Sequence, residues 1–204
     1  VLHGRLKNIE TIFNKCNEIG IDDILMKTNK RGENILHKEA MHELNDDSSS
    51  YVLNLLKSKD GVLEELLNEK DHEGYTPLDK AAKFGNFTKF KTIWEMLIKS
   101  KISTDIILKN VNKHGENIIH LTVGSDCDDN FLNYMLTILK SKRDILNELL
   151  HKKDIEGYMP LDKAAKFGYI ARFNAIWKVV EELNIPTNEI LKNENKYGAN
   201  LMHL

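Results

Sequence analysis

Residues 71–85 read Asp71-His72-Glu73-Gly74-Tyr75-Thr76-Pro77-Leu78-Asp79-Lys80-Ala81-Ala82-Lys83-Phe84-Gly85, and 83 residues later 154–168 repeat 13 of those 15 positions. A second motif, Asn29-Lys30-Arg31-Gly32-Glu33-Asn34-Ile35-Leu36-His37, returns at the same interval. It reads Asn112-Lys113-His114-Gly115-Glu116-Asn117-Ile118-Ile119-His120, and then Asn195-Lys196-Tyr197-Gly198-Ala199-Asn200-Leu201-Met202-His203. Gly74 falls 42 residues after Gly32 and 41 before Gly115, so the unit is 41–42 residues long in two alternating types. A unit of that size cannot bury its apolar face alone, and stacked copies can, so the period predicts a helical repeat solenoid. The expected boundaries are 29–70 and 112–153 for type A, and 71–111 and 154–194 for type B. Residues 1–28 read as the second helix of an incomplete unit and 195–204 as the start of another, in one continuous array.

The apolar pattern inside each unit is helical. Phe87, Phe90, Ile93, Trp94, Leu97 and Ile98 recur every third or fourth residue, with Ile170, Phe173, Ile176, Trp177 and Val180 as the copy. Leu6, Ile9, Ile12, Phe13 and Cys16 carry the same stripe at the start of the chain. In type A the stripe is Val52, Leu55, Leu56, Val62, Leu63, Leu66 and Leu67, returning as Met135, Ile138, Leu139, Ile145, Leu146, Leu149 and Leu150. Each unit therefore reads as turn, short helix, loop and longer striped helix, an all-α chain with both tryptophans in the core.

The stretch from Gly74 to Gly85 resembles the ankyrin-repeat motif G-x-T-P-L-H-x-A-A-x-x-G, and 157–168 match nearly as well. Type A resembles it more weakly, keeping the glycine and the histidine. The departures are a unit longer than the family's 33 residues and Asp79 and Asp162 in the histidine slot. Gly74 and Gly157 suit the positive φ of a tight turn. Thr76 suits a helix cap and Pro77 the first helical position, with Asn34, Asn117 and Asn200 as the type A caps. Met159 carries no capping oxygen, so the helix after it is expected to begin less firmly than its twin. In the family the recurring histidine braces adjacent turns, and that is the reading the resemblance implies for His37, His120 and His203.

Several chemistries are poorly matched by the residues. The 204-residue chain is 41% apolar and 29% charged with a net charge of −2, the profile of a folded chain without the basic excess of a nucleic-acid binder. No apolar run reaches the 18 or so residues of a membrane span. The N-terminal Val1-Leu2-His3-Gly4-Arg5 has no signal-peptide pattern and no initiator Met, so the chain reads as a piece of a longer protein. Nucleotide-loop, zincin and serine-hydrolase motifs are all lacking. Histidines in alternate units would lie roughly 16–20 Å apart, too far to share an ion. The acidic stretches at 45–50 and 126–130 lack the glycine of a calcium loop and read as helix caps and linkers. Cys16 belongs to the core stripe and Cys127 to an exposed loop; the pair matches no metal spacing, which fits a reducing compartment.

Ankyrin proteins bind partner proteins along the face made by turn tips and first helices. Carried onto this chain, the tips supply Lys30, Arg31, Glu33, His72, Glu73, Tyr75, His114, Glu116, Glu156 and Tyr158. The first helices supply Lys80, Lys83, Phe84, Lys163, Lys166 and Phe167. Formal charge over the five turns runs +1, −2, 0, −2, +1, an alternation suited to a protein rather than a polyanion. Between the type B copies this inner face is nearly invariant, while the second helix keeps only Phe90, Ile93 and Trp94. Packing accounts for the glycine, proline, leucine and alanine. For Tyr75, Lys80 and Lys83 two readings stay open, a bound partner or solvated filler. The expectation is a non-catalytic protein-binding module without cofactor, metal, nucleic-acid, membrane or small-molecule partner. A spacer that positions other domains is the alternative. Only four of the 29 basic residues are arginine, which with the abundant Asn and Ile suggests AT-rich coding. With ankyrin-like repeats, that resembles effectors of intracellular bacteria, which implies a cytoplasmic location, in the host cytosol for a secreted effector.

Overall fold

The computed structural model describes residues 11, 15, 20–42, 52, 54, 56 and 59–204. The expected stripe Leu6 to Cys16 and the acidic stretch 45–50 lie outside the described residues. Described residues form twelve bounded α-helices, one short 3-10 turn at Leu201–His203 and no β-strand. None of these helices is long and apolar enough to cross a membrane. The helices are α1 (Ile21–Leu25), α2 (Ile35–Met41), α3 (Asp60–Asn68), α4 (Pro77–Lys83), α5 (Phe87–Lys99) and α6 (Thr104–Leu108). They continue with α7 (Ile118–Gly124), α8 (Asp129–Lys140), α9 (Arg143–His151), α10 (Pro160–Lys166), α11 (Ile170–Glu182) and α12 (Thr187–Leu191). The chain divides into two compact units, residues 1–81 with 88–104, and residues 82–87 with 105–204.

Helix lengths recur with the sequence period: seven residues in α2, α4, α7 and α10, thirteen in α5 and α11, nine in α3 and α9, five in α1, α6 and α12. Two features differ from expectation. The long type A stripe is broken in two at Lys142, where φ −124° and ψ 63° leave helical geometry, and Lys59 has nearly the same angles. Ser141 terminates α8 by donating its hydroxyl to the Ile138 carbonyl at 2.8 Å. Type B carries an extra five-residue helix, α6 or α12. The two features are tied together by a recurring pair: Lys59 meets Asp22, and 83 residues on Lys142 meets Asp105 at 2.5 Å.

The core follows the stripes. Leu63, Leu66 and Leu67 are buried in the first unit, and Met135, Leu139, Leu146 and Leu149 in the second. Each such side chain contributes about 2 kcal/mol by leaving water. The stripe of α11 is narrower than expected, since Ile176 and Val180 are buried but Ile170 is 74% exposed. Ile98 is also exposed. Trp94 is buried, whereas Trp177 is half-buried, stacked on Phe173 with its indole N–H donating to Glu181 at 2.8 Å. That carboxylate, one helical turn on, satisfies the indole at the surface.

One device builds every turn. The side-chain oxygen at its first position accepts two backbone N–H groups: Asn29 from Arg31 and Glu33, Asp71 from Glu73 and Tyr75, Asn112 from His114 and Glu116, Asp154 from Glu156 and Tyr158, Asn195 from Tyr197 and Ala199. Successive turns are then joined within each unit. His72 N–H donates to the Arg31 carbonyl, Ile155 to His114 and Lys196 to Glu156, each at 2.9 Å. That approach needs glycine: a Cβ at Gly157 (φ +85°) would lie 2.9 Å from the Asn195 Cα. Asn29 and Asn112 also donate their amides to Glu33 and Glu116; Ala199 replaces that glutamate, and the buried Asn195 Nδ2 has no partner among the described residues.

Candidate functional site

In the first unit the expected contact residues separate by burial. Lys30, Arg31, His72 and Glu73 are exposed on the turns. Glu33, Tyr75 and Lys80 are not available to a partner, a correction to the expectation that they line a recognition face. Tyr75 is 1% exposed, its carbonyl accepting the Nε2–H of His37 at 2.9 Å. Lys80 reaches inward to Asp71 Oδ2 at 2.6 Å and Glu33 Oε1 at 3.0 Å. Burial alone would push the Glu33 carboxyl up, but hydrogen bonds from Asn29 and Lys80 and the lysine charge hold it at about 2. Burial likewise works against the Lys80 ammonium, and Asp71 and Glu33 outweigh it, so its pKa is raised. A buried ammonium without such partners would neutralise instead. The conservation of Tyr75 and Lys80 between copies is therefore explained by bracing.

The second unit gathers its expected residues. One cleft of about 310 Å³ is lined by His114, Glu116, Glu156, Tyr158, Lys163, Lys166 and Phe167, together with Asp154 and Ile155. An adjoining cavity of about 230 Å³ shares Glu116, Lys163 and Phe167 and adds Lys83, His120, Leu121 and Gly124. Of the predicted residues in this unit, Phe84 alone lines neither, although it is 48% exposed.

The floor and walls come from opposite parts of the motif. Tyr158 is 5% exposed, a floor residue and not the exposed anchor expected from its place in the turn. The cause is the bond from His120 Nε2–H to the Tyr158 carbonyl at 2.9 Å, the same brace as His37 makes with Tyr75. Burial depresses the His120 imidazole to about 4, more than that carbonyl raises it, so the ring is neutral and a pure brace. Lys166 lies over the Tyr158 ring, 4.2 Å from its centre, and pairs with Glu156 at 3.3 Å. Glu156 also holds Lys196 at 3.0 Å, and these two lysine hydrogen bonds keep its carboxyl below the ordinary range. Lys163 pairs with Glu116; burial pushes that carboxyl up, but bonds from Lys163 and Asn112 bring it below the ordinary value. On the rim, Phe167 and Ile155 remain 47% and 64% exposed.

Asp154 is a lining residue that reading by motif passed over, because its turn-building role hid its second oxygen. Sequence reasoning also missed a pair of buried cations 83 residues apart, Lys89 and Arg172. Lys89 pairs with Glu39 at 3.4 Å. Arg172 donates to the carbonyls of Val123, Ser125 and Cys127 at 2.6, 2.7 and 2.5 Å and to Asp129 at 3.2 Å. The signal was a basic residue at the same place in both otherwise divergent helices. Asp128 caps α8 through the Asn130 N–H at 2.9 Å, as expected of the second acidic loop. Cys127 is half-buried, not exposed as expected, its thiol in the reduced form accepting from the Ser125 hydroxyl at 3.1 Å and donating to the Thr122 carbonyl at 3.7 Å. Among the described residues no group of three or more His, Cys, Asp or Glu side chains is placed to hold a metal ion.

The site thus has paired charges, an aromatic floor and an apolar rim. No protein-family model matches the chain, and no curated protein matches it.

Proposed function

We propose that the chain is an ankyrin-type helical repeat array that recognises a partner protein without catalysis, through the cleft and rim of its second unit. One observation carries the reading. Eight of the residues assigned to a recognition face from sequence converge on two adjoining cavities, and one of them, Phe167, stands with Ile155 as a large apolar side chain left in water. Exposed aromatic and aliphatic anchors beside ordered ion pairs are the usual makeup of a protein contact patch. The 83-residue recurrence of turn, short helix and long helix supports the array reading, as do the histidine braces.

The test uses residues 1–204 as bait, beside Ile155→Ala/Phe167→Ala and a control, Ile106→Ala, which removes an apolar side chain that is 70% exposed elsewhere. Circular dichroism establishes that all three are helical. A protein retained by parent and control and lost from the double variant is the expected result. The same capture by all three, or none, overturns recognition by this face and leaves a spacer role.

A further inference from the structure

The two copies of the motif treat the same three charged residues differently. In the first, Lys80 bridges Glu33 and Asp71. In the second their equivalents are Lys163, Glu116 and Asp154, and Lys163 pairs with Glu116 alone. Asp154 Oδ1 accepts the Glu156 and Tyr158 amides at 2.8 and 3.0 Å; Oδ2, the oxygen that takes the lysine in Asp71, has no donor among the described residues. The sequence supplies a reason. Gly124 stands where the first copy has Met41, and a Cβ there would lie 3.3 Å from Lys163 Cε. With no side chain at 124, the lysine stem lies against the end of α7.

The result is an opened version of a site whose closed version is seen in the same molecule. Its cleft carries one more carboxylate than ammonium groups, and the unmatched one is Asp154. Phe167 and Ile155 stand exposed on the rim of the same cleft. We infer that this cleft takes a lysine or arginine side chain of a partner polypeptide, its cationic head bonded to Asp154 and Glu116 as Lys80 is to Asp71 and Glu33, with an apolar neighbour covering Phe167 and Ile155. The assignment rests on the partner-recognition reading above and gives the chemistry of the contact. A charge-assisted bond in a cleft partly shielded from water is stronger than one on an open surface. The apolar rim favours a side chain carried by a peptide over a free polyamine, whose short methylene segments are flanked by ammonium groups that must stay solvated.

The experiment is a two-dimensional 15N NMR titration of the full chain with acetyl-Leu-Arg-Leu-amide, with its citrulline counterpart and with spermidine. The arginine peptide is expected to give saturating shifts at the Glu156 and Phe167 amides, at least tenfold tighter than citrulline or spermidine. Asp154→Asn removes the charge and keeps the turn, because Asn112 accepts the equivalent two amides as an asparagine. It is expected to weaken the arginine peptide at least tenfold. Gly124→Met, which displaces the Lys163 stem, is expected to weaken it as well. Equal binding of arginine and citrulline peptides, spermidine binding as tight as the peptide, or an Asp154→Asn titration like the parent's would overturn the assignment. Loss of capture by Ile155→Ala/Phe167→Ala alongside an arginine-independent titration would leave protein recognition standing and remove this chemistry alone.

Discussion

The third residue of each short helix shows how one mechanical task is met by two side chains. In type A it is His37 or His120, whose Nδ1 accepts the N–H of Asn34 or Asn117 while Nε2–H reaches the next turn. In type B it is Asp79 or Asp162, whose Oδ2 accepts the N–H of Thr76 or Met159 at 2.9 Å. An aspartate in the histidine slot therefore keeps the cap, and as a carboxylate it cannot itself donate to the next turn as the imidazole N–H does. At Asp162 the cross-turn donor is Asn193, which donates to the Gly157 carbonyl at 3.0 Å and to Asp162 at 2.5 Å. The weak start expected after Met159 is thus half corrected: the Met159 amide is satisfied, but Asp162 N–H meets only the Met159 thioether, a weaker acceptor than the Thr76 Oγ that Asp79 N–H meets at 3.2 Å. Burial also pushes the Asp162 carboxyl up, against the bonds from Met159 and Asn193. A lost cap bond is worth about 1 kcal/mol, about fivefold in exchange. The Asp162 amide is expected to exchange about fivefold faster than that of Asp79, and Met159→Thr to remove the difference and lower the Asp162 pKa. Equal exchange in the parent would contradict this.

At the scale of the helix, position and type were readable where a stripe is regular, and its ends were not. The break before α9 follows from Ser141 closing α8 and Lys142 leaving helical angles, a choice tied to the ion pair with Asp105, 37 residues away. Helix periodicity has no access to such a partner. Arg172 presents the same lesson with larger stakes. It lies in α11, yet it fixes the end of α7 and the loop leading into α8, and the residue is 6% exposed. Arg172→Met keeps the stem and strands three carbonyls, so urea unfolding is expected to show a loss of about 3–5 kcal/mol. Arg172→Lys, which copies Lys89, is expected to lose less than half of that. A methionine variant as stable as the parent would show that water replaces the guanidinium without cost.

Across the whole molecule, the buried histidines and paired carboxylates set one acid response. Burial lowers both His37 and His120, the latter to about 4, so the unfolded chain takes up protons near 6.5 that the fold refuses. Stability is therefore complete above 6.5 and lost as pH falls toward 4, by about 3 kcal/mol for His120. Glu33, Asp71 and Glu116, lowered by their lysines against the effect of burial, add a second loss from about 4.5 downward, with Glu33 protonating at about 2. Asp162, raised, opposes it by one group. The thermal midpoint is expected to drop between pH 7 and 4 and more steeply below; a flat profile from 7 to 5 would mean that the histidines titrate normally. The sequence by itself determined the period, the all-helical class, the turn glycines and the caps, because each depends on neighbours within a few residues or on exact recurrence. Only the tertiary structure decided which face residues stay available. Tyr75, Tyr158, Glu33 and Lys80 look like surface residues by type and turn inward, since partners about 40 residues away satisfy their polar groups. It also decided that one set of residues closes around Lys80 and opens around Asp154, through a glycine 30 residues away from that aspartate along the chain. Local pattern specifies elements; burial and charge pairing, which are sums over distant residues, specify the site.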